Sequence, residues 1–318
     1  MTRERPTRPL KAGVELGGTK CICTLATGPD AIVAQRTVPT GNPDQTLPAI
    51  VDILTSWQQE SGFDSLGIAS FGPIDLDLRS ASYGRILATT KEEWPGADVL
   101  GTIATPFSVP VGFDTDVNGA ALAERRWGCA IGLDDFAYVT VGTGIGVGLL
   151  VHGAPTRGIG HSEIGHVRVP RLPGDAQPSV CRFHPDCVEG VASGTALQQR
   201  LGDRAIDLVM ADDPVWNPVV EALAAMCHAM VCTTGPKRIA IGGGVISRQP
   251  HLLERIEAAL RRSLNGYMTL PGGPYIVAPE LGDMAGPLGS IALALAAEAS
   301  THGAERDRSA ARLHHEVG

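Results

Sequence analysis

Twice in this chain an apolar strand enters a glycine turn and leaves it as a second apolar strand, and no other feature restricts the fold as much. The first copy runs 12–16, then Gly17-Gly18-Thr19-Lys20, then 21–26; the second runs 136–141, then Gly142-Thr143-Gly144, then 146–151. Aliphatic and β-branched residues on both sides of a short glycine turn mark a hairpin. Further strand-like stretches follow each copy, at 65–71 and 109–113 and again at 238–241 and 275–278. Helical spacing separates them, as in Ile50, Ile53, Leu54 and Trp57, or in 117–128 and 193–234. A duplicated order of hairpin, glycine turn and helix predicts an α/β protein of two similar lobes with a cleft between them. The 318 residues suffice for this at ~100–200 residues per domain. The expected division is a smaller lobe, 12–117 with a C-terminal helix 286–299, and a larger lobe, 118–285. Residues 1–11 and 300–318 are expected to be disordered tails.

The formal net charge of -8 argues against binding nucleic acid, which needs clustered Lys and Arg to neutralise phosphates. No membrane span is expected either. The most apolar stretch, 136–151, is broken by Gly142, Gly144, Gly146 and Gly148, and 215–235 carries Glu221 and His228. The basic lead-in with Arg3, Arg5, Arg8 and Lys11 lacks the apolar run of a signal peptide. A cytoplasmic protein is therefore expected, and in that compartment an odd total of seven cysteines points to packed thiols or metal ligands instead of disulfides. Cys21, Cys23, Cys129, Cys227 and Cys232 read as packed thiols.

Three glycine-rich turns are candidates for holding phosphate. In Gly17-Gly18-Thr19-Lys20 the glycines let backbone N–H groups approach an anion, and Thr19 and Lys20 add a hydroxyl and a cation. Gly142-Thr143-Gly144 is the matching turn of the second lobe, and a strand follows it where the dinucleotide fingerprint would need a helix. Gly242-Gly243-Gly244 ends a strand and opens a helix, where bare backbone can lie against a nucleotide. Each alone is also an ordinary tight turn; two facing turns are much more specific than one. In Asp114-Thr115-Asp116-Val117-Asn118, at a strand end and helix start, a carboxylate is either a helix cap or a base. Phosphoryl transfer to a hydroxyl requires a carboxylate that orients the hydroxyl and takes its proton, together with a metal ion on the phosphates. Asp116 suits the role of base, and Asn118 is a candidate to meet sugar hydroxyls. Lys91, Arg125 and Arg126 read as solvated surface charge.

The irregular segment 153–190 contains His161-Ser162-Glu163-Ile164-Gly165-His166 and, further on, Cys181-Arg182-Phe183-His184-Pro185-Asp186-Cys187, then Glu189. Cys181, His184 and Cys187 at C-x2-H-x2-C spacing, with His166 upstream, supply four donors suited to tetrahedral zinc in a closed, structural centre. His161 is the alternative fourth ligand. His166 has two ring nitrogens, one available to the metal and one to a sugar hydroxyl.

With these motifs assembled, residues 12–299 resemble a bacterial fructokinase of the ROK family, the repressor, open-reading-frame and kinase group. The glycine turn, the Asp-x-Asn helix start, the Glu-x-Gly-His segment and the Cys/His loop follow one another in the order of that family. The resemblance implies an actin-like ATPase (ribonuclease H-like) fold, Mg2+ with ATP as phosphoryl donor, structural Zn2+ and a homodimer. By position, Asp116 matches the catalytic base and Asn118 the asparagine of its motif. Glu163, His166 and Glu189 match sugar-contacting groups, and His166, Cys181, His184 and Cys187 match the zinc ligands. Gly17, Gly18, Thr19, Lys20, Gly142, Thr143, Gly144, Gly242, Gly243 and Gly244 are the expected ATP-binding positions. Glu15, where glucokinase-like members have Asp, and Thr115, where they have Asn, resemble the fructokinase branch, as do 70–75, Tyr83-Gly84 and Trp94-Pro95-Gly96. The implied activity is phosphorylation of the 6-hydroxyl of fructose. Another hexose kinase of the family, for glucose, mannose or an amino sugar, is the alternative within the class, and a non-catalytic sugar sensor the alternative outside it.

Overall fold

A computed structural model of the chain describes residues 9–315, and their side chains as far as residue 301. The outermost parts of both expected tails, 1–8 and 316–318, lie outside the described residues. Two compact units result: Met1–Ala123 with Ile159–His161 and Met284–Gly318, and Glu124–Gly158 with Ser162–Asp283.

The first unit is built on a five-stranded sheet of order β3-β2-β1-β4-β5. Its strands are β1 (Lys11–Leu16), β2 (Lys20–Ala26), β3 (Ile32–Pro39), β4 (Ser65–Ser70) and β5 (Val111–Thr115). β1, β2 and β3 pair antiparallel, whereas β4 and β5 continue from β1 in parallel. α1 (Pro43–Glu60) starts where the Asn42 side chain accepts the Gln45 N–H at 3.0 Å, with a proline in its first turn. It buries Leu47, Ile50, Leu54 and Trp57. α2 (Val99–Ala104) and α3 (Asp116–Trp127) complete this part of the chain, and the division between the units falls inside α3. β3 has no counterpart among the expected strands. It is a mostly exposed edge, so Gln35, Arg36 and Thr37 interrupt the apolar signal that a buried strand carries.

The second unit repeats the same order. β6 (Phe136–Val141), β7 (Ile145–Val151), β8 (Ala154–Pro155), β9 (Ile239–Gly242) and β10 (Ile276–Val277) form a sheet of order β10-β9-β6-β7-β8. Within it β6, β7 and β8 pair antiparallel, while β9 and β10 run parallel to β6. Strand for strand this is the first sheet again, as the doubled hairpin pattern predicts. The unit's helices are α4 (Val188–Ala192), α5 (Gly194–Leu201), α6 (Trp216–Thr233), α7 (Gly244–Arg248) and α8 (Leu252–Leu264). α6 is buried on most sides, through Val219, Leu223, Met226, Cys227 and Met230.

The last helix, α9 (Ala285–His315), returns to the first unit. It lies against β1, β4 and β5, on a track made by Gly13, Gly67 and Gly112. These glycines are direct neighbours in register across the three strands. A Cβ on Gly13 would overlap the Ser290 hydroxyl, one on Gly67 the Ser290 carbonyl, and one on Gly112 the Leu293 carbonyl. Gly119 of α3 and Gly289 of α9 meet in the same way, backbone against backbone. The helix runs to His315, well beyond the expected end at 299, because 300–315 contains alanines, arginines and glutamate and no proline to stop it. Lys11, expected in the lead-in, is instead the first residue of β1 and is buried in an ion pair with Glu298 of α9 (Nζ to Oε2 2.7 Å). Since the glycine track abuts backbone that cannot yield, Gly67→Ala is expected to cost about 3 kcal/mol. Thermal and urea unfolding of the variant beside wild type check this, and an unchanged melting temperature contradicts the close approach.

Candidate active site

In each unit the candidate residues collect at one end of the sheet. Leu16 pairs with Ser70 and Ser70 with Thr115, so the carboxyl ends of β1, β4 and β5 lie side by side. The turn after β1 and the Asp116 that follows β5 therefore share an edge, the side of a parallel sheet on which ligands bind. In the second unit Thr140 pairs with Gly242, which sets Gly142-Thr143-Gly144 beside Gly242-Gly243-Gly244 at the corresponding edge.

The cap of this helix start comes from the neighbours of Asp116. Thr115 Oγ1 accepts the Asn118 N–H at 3.1 Å, and Asp114 Oδ1 accepts both the Thr115 N–H and the Asn118 side-chain amide at 2.7 Å. Asp116 Oδ1 accepts the adjacent Val117 N–H at 2.8 Å. Burial pushes the Asp116 carboxyl up to about 6, against the lowering pull of the backbone N–H groups of Val117 and of Asp116 itself. Asn118 is 1% exposed and its amide nitrogen is committed to Asp114. Through this bond Asn118 braces the strand end behind Asp116, while its Oδ1, also buried, has no hydrogen-bond partner among the described residues.

The glycine turns separate into two kinds. Gly18 and Gly142 have no positive φ, and a Cβ at either would meet nothing within 4 Å. The fold does not require glycine at these positions, which leaves bare backbone open to the approach of a ligand. Thr19, Lys20 and Thr143 are exposed beside them. By contrast Gly243 has φ +87° and its Cβ would lie 2.6 Å from the backbone of Val141, while one on Gly242 would lie 2.6 Å from the Pro279 ring. The fold accounts for both of these, and of the third motif only Gly244, with its nearest atom at 3.7 Å, is open.

Within the second unit, His166, Cys181, His184 and Cys187 each offer a ligand atom, all within 4.8 Å of one another. Cys181 Sγ lies 3.7 Å from His166 Nδ1 and 3.5 Å from His184 Nδ1, and Cys187 Sγ lies 3.7 Å from His166 Nδ1. Metal–sulfur bonds of ~2.3 Å and metal–nitrogen bonds of ~2.0–2.1 Å at a tetrahedral angle give S···N edges of ~3.6 Å, so the four fit one small cation. His161 is not among them: its Nε2 accepts the Ile74 N–H at 3.1 Å. His166 turns its other nitrogen toward two carboxylates, Glu163 Oε2 at 4.0 Å and Glu189 Oε1 at 3.9 Å. Arg168, on Asp186 at 2.7 Å, braces the loop. Arg125 is taken up by Asp134 and the Leu133 carbonyl, and Arg126 stacks on Trp127. Of the five cysteines outside the cluster, Cys232 is exposed instead of packed.

Sequence comparison agrees with this arrangement. Residues 11–297 match the family model described as the ROK family. The chain belongs to the ROK family. It is 37% identical to a putative fructokinase of Bacillus subtilis over 297 residues, covering 91% of this chain and 97% of that one. Its identity to a fructokinase of Zymomonas mobilis is 39% over 292 residues, covering 90% and 96%. Among solved structures it resembles a ROK family glucokinase from Streptomyces griseus in complex with glucose and AMPPNP, with 25% identity, a TM-score of 0.70, and coverage of 90% and 99%. The two α/β units with their repeated sheet are the actin-like ATPase fold of ROK kinases.

Two residues of this ROK protein escape a reading by motif. Glu15, noticeable in the sequence only for standing in place of Asp, is half-buried near the end of β1 against Gly286, where a Cβ would overlap its carboxylate. Burial, and next the charge of Asp116, push it up to about 7, with Lys20 pulling the other way. Its Oε2 has no hydrogen-bond partner among the described residues. Gly165 is the other: its Cβ would overlap the Ile145 carbonyl, so the glycine of Glu-x-Gly-His is required by packing on β7. The two kinds of glycine predict opposite outcomes. Gly243→Ala is expected to cost about 2–3 kcal/mol of stability. Gly18→Ala is expected to stay within ~0.5 kcal/mol of wild type and to weaken nucleotide binding, as thermal unfolding and calorimetric titration with an ATP analogue would record.

Proposed function

We propose that this ROK protein is an ATP-dependent fructokinase that transfers the γ-phosphoryl group of ATP to the 6-hydroxyl of D-fructose. The observation that carries the chemistry is Asp116, relieved of capping by Thr115 and Asp114 and raised toward neutrality by burial. A general base works best when its pKa lies near the working pH. The sugar rests on the relatives: the curated proteins of 34–39% identity and 81–91% coverage of this chain bear the name fructokinase.

In this reading Asp116 orients the 6-hydroxyl and takes its proton as the oxygen bonds to phosphorus. Backbone N–H groups of Gly18 and Gly144, with Thr19, Lys20 and Thr143, hold the phosphates, while the Gly17 and Gly142 N–H groups close their turns on the Lys20 and Gly144 carbonyls; Gly244 is the open backbone position of the third turn. Mg2+ arriving with ATP supplies charge neutralisation, and the unpartnered carboxylate oxygen of Glu15 is the protein group suited to answer its charge. Glu163, His166 and Glu189 hold sugar hydroxyls. Zinc held by His166, Cys181, His184 and Cys187 supplies a closed centre that orders the loop. Nδ1 of His166 would face the metal, which leaves Nε2 for the sugar. A cytoplasmic location is supported by seven free cysteines, and among the described residues no helix is long and apolar enough to cross a membrane. A homodimer is proposed from the family resemblance alone.

Four experiments test the proposal. Asp116→Asn is expected to lower kcat by ~10²–10⁴-fold while fructose binding measured by calorimetry persists. Wild-type kcat/KM is expected to fall as pH drops through about 6, because a protonated Asp116 cannot accept the proton. Near-normal turnover of the variant removes Asp116 from the role. In a hexose panel with ATP, fructose is expected to have the highest kcat/KM, and glucose or mannose ahead of it overturns the sugar assignment while leaving the kinase. For the metal, elemental analysis is expected to find about one zinc per chain, lost together with several degrees of melting temperature in Cys181→Ser/Cys187→Ser. A metal-free wild type of equal stability refutes the zinc centre.

A further inference from the structure

The second glycine turn is held by one short stretch of chain, 187–195. Glu189 Oε2 accepts the Ile145 N–H at 3.0 Å, the Gly194 N–H donates to the Gly142 carbonyl at 2.7 Å, and the Thr195 hydroxyl donates to the Thr143 carbonyl at 2.8 Å. That stretch opens with Cys187, whose sulfur accepts the Gly190 N–H at 3.3 Å and so caps α4. Three sides of the turn's geometry thus depend on residues that follow the metal cluster directly.

Glu189 has a second oxygen with a different outlook. Oε1 stands 3.9 Å from His166 Nε2, and Glu163 Oε2 stands 4.0 Å from the same nitrogen. These separations are too long for a direct hydrogen bond and are of the size that a bridging oxygen fills. A hexose hydroxyl seated there would hydrogen-bond Glu189 through Oε1 while Oε2 keeps Ile145. Two glycines make the contact possible. A Cβ on Gly144 would lie 2.6 Å from Glu189 Oε2, and one on Gly165 would overlap the Ile145 carbonyl. Ile145 is therefore gripped on its N–H by Glu189 and flanked on its carbonyl by the segment that carries Glu163 and His166.

We infer that Glu189 is a positioning residue that couples hexose binding to the shape of the phosphate turn 142–145, so that sugar and nucleotide strengthen each other's binding through one carboxylate. The inference rests on the proposed assignment of Glu189 to the sugar and of the turn to ATP. A hydroxyl on Oε1 fixes the carboxylate and with it the Ile145 N–H, so the nucleotide meets a turn already in place. Linkage requires the effect to be reciprocal.

The test is calorimetric titration of Mg2+-AMP-PNP, with and without saturating fructose, and of fructose alone, into the full chain and three variants. In wild type, fructose is expected to tighten AMP-PNP by at least ~5-fold, the lower end of typical coupling. Glu189→Gln keeps an acceptor for Ile145, so AMP-PNP alone is expected to bind within ~2-fold of wild type while fructose weakens. Glu189→Ala is expected to weaken both ligands and bring the coupling ratio to about 1. Gly144→Ala, although it lies in the nucleotide turn, is expected to weaken fructose by ~5-fold or more by displacing the carboxylate. A wild-type ratio of 1, or a ratio retained in Glu189→Ala, overturns the coupling. If fructose affinity is unchanged in Glu189→Ala, the sugar assignment itself has failed; if it falls while the ratio persists, only the coupling has.

Discussion

Parallel pairing beside an antiparallel hairpin is the constraint on which everything else in this protein depends. A parallel ladder aligns the carboxyl ends of its strands, and in both sheets the first strand is paired in parallel on one side and folded back as a hairpin on the other. The hairpin turn and the loops that follow the parallel strands are thereby forced to the same edge. This is why Gly17 and Asp116, about a hundred residues apart in the chain, belong to one edge of the first sheet. It is also why Gly142 and Gly242 are neighbours in the second.

Glycine has two separate duties in this frame, and only a structure tells them apart. Gly13, Gly67 and Gly112 act as one feature, a groove three strands wide that lets the backbone of α9 replace side chains as the packing surface. A linear pattern search sees three isolated glycines inside strands, because the register that aligns them is not written locally. Gly18 and Gly142 are the reverse case. Both stand out in the sequence, yet the folded chain makes no demand on them, and that indifference is what points outward to a ligand. The Gly242-Gly243-Gly244 run looked equivalent to the other turns, but positive φ and contact with Val141 and Pro279 account for two of its three members.

The same distinction governs what was legible elsewhere. Buried strands with dense apolar runs, such as β4, and helices with apolar spacing, such as Ile50, Ile53, Leu54 and Trp57 of α1, were readable because burial leaves local signals, whereas the start of α1 at Asn42 was not read. β3 and β8 were not, one being an exposed edge and the other two residues long. The clustering of Cys181, His184 and Cys187 was legible from their spacing, but that His166 joins them and His161 does not was not, since both lie upstream. It is decided by the Ile74 N–H that engages His161 and by the short turn that seats Gly165 on β7. Asn118 has a structural duty that its motif does not show. Its partner Asp114 is four residues away, and the bond between them takes the amide nitrogen while Oδ1 stays without a partner among the described residues.

Around Asp116 these local choices add up to a division of labour. A carboxylate at a helix start is ordinarily stabilised by the first-turn N–H groups, which hold its pKa down and make it a poor base. Here Thr115 satisfies the Asn118 N–H and Asp114 satisfies the Thr115 N–H, so Asp116 keeps only the N–H groups nearest to it, and burial outweighs them. Asp114 is the residue that can take the structural role, because it precedes the helix and is itself buried with the Asn118 amide against it. An Asp-x-Asp pair in which the first carboxylate is spent on the fold is what leaves the second with the affinity for a proton that phosphoryl transfer to a hydroxyl requires.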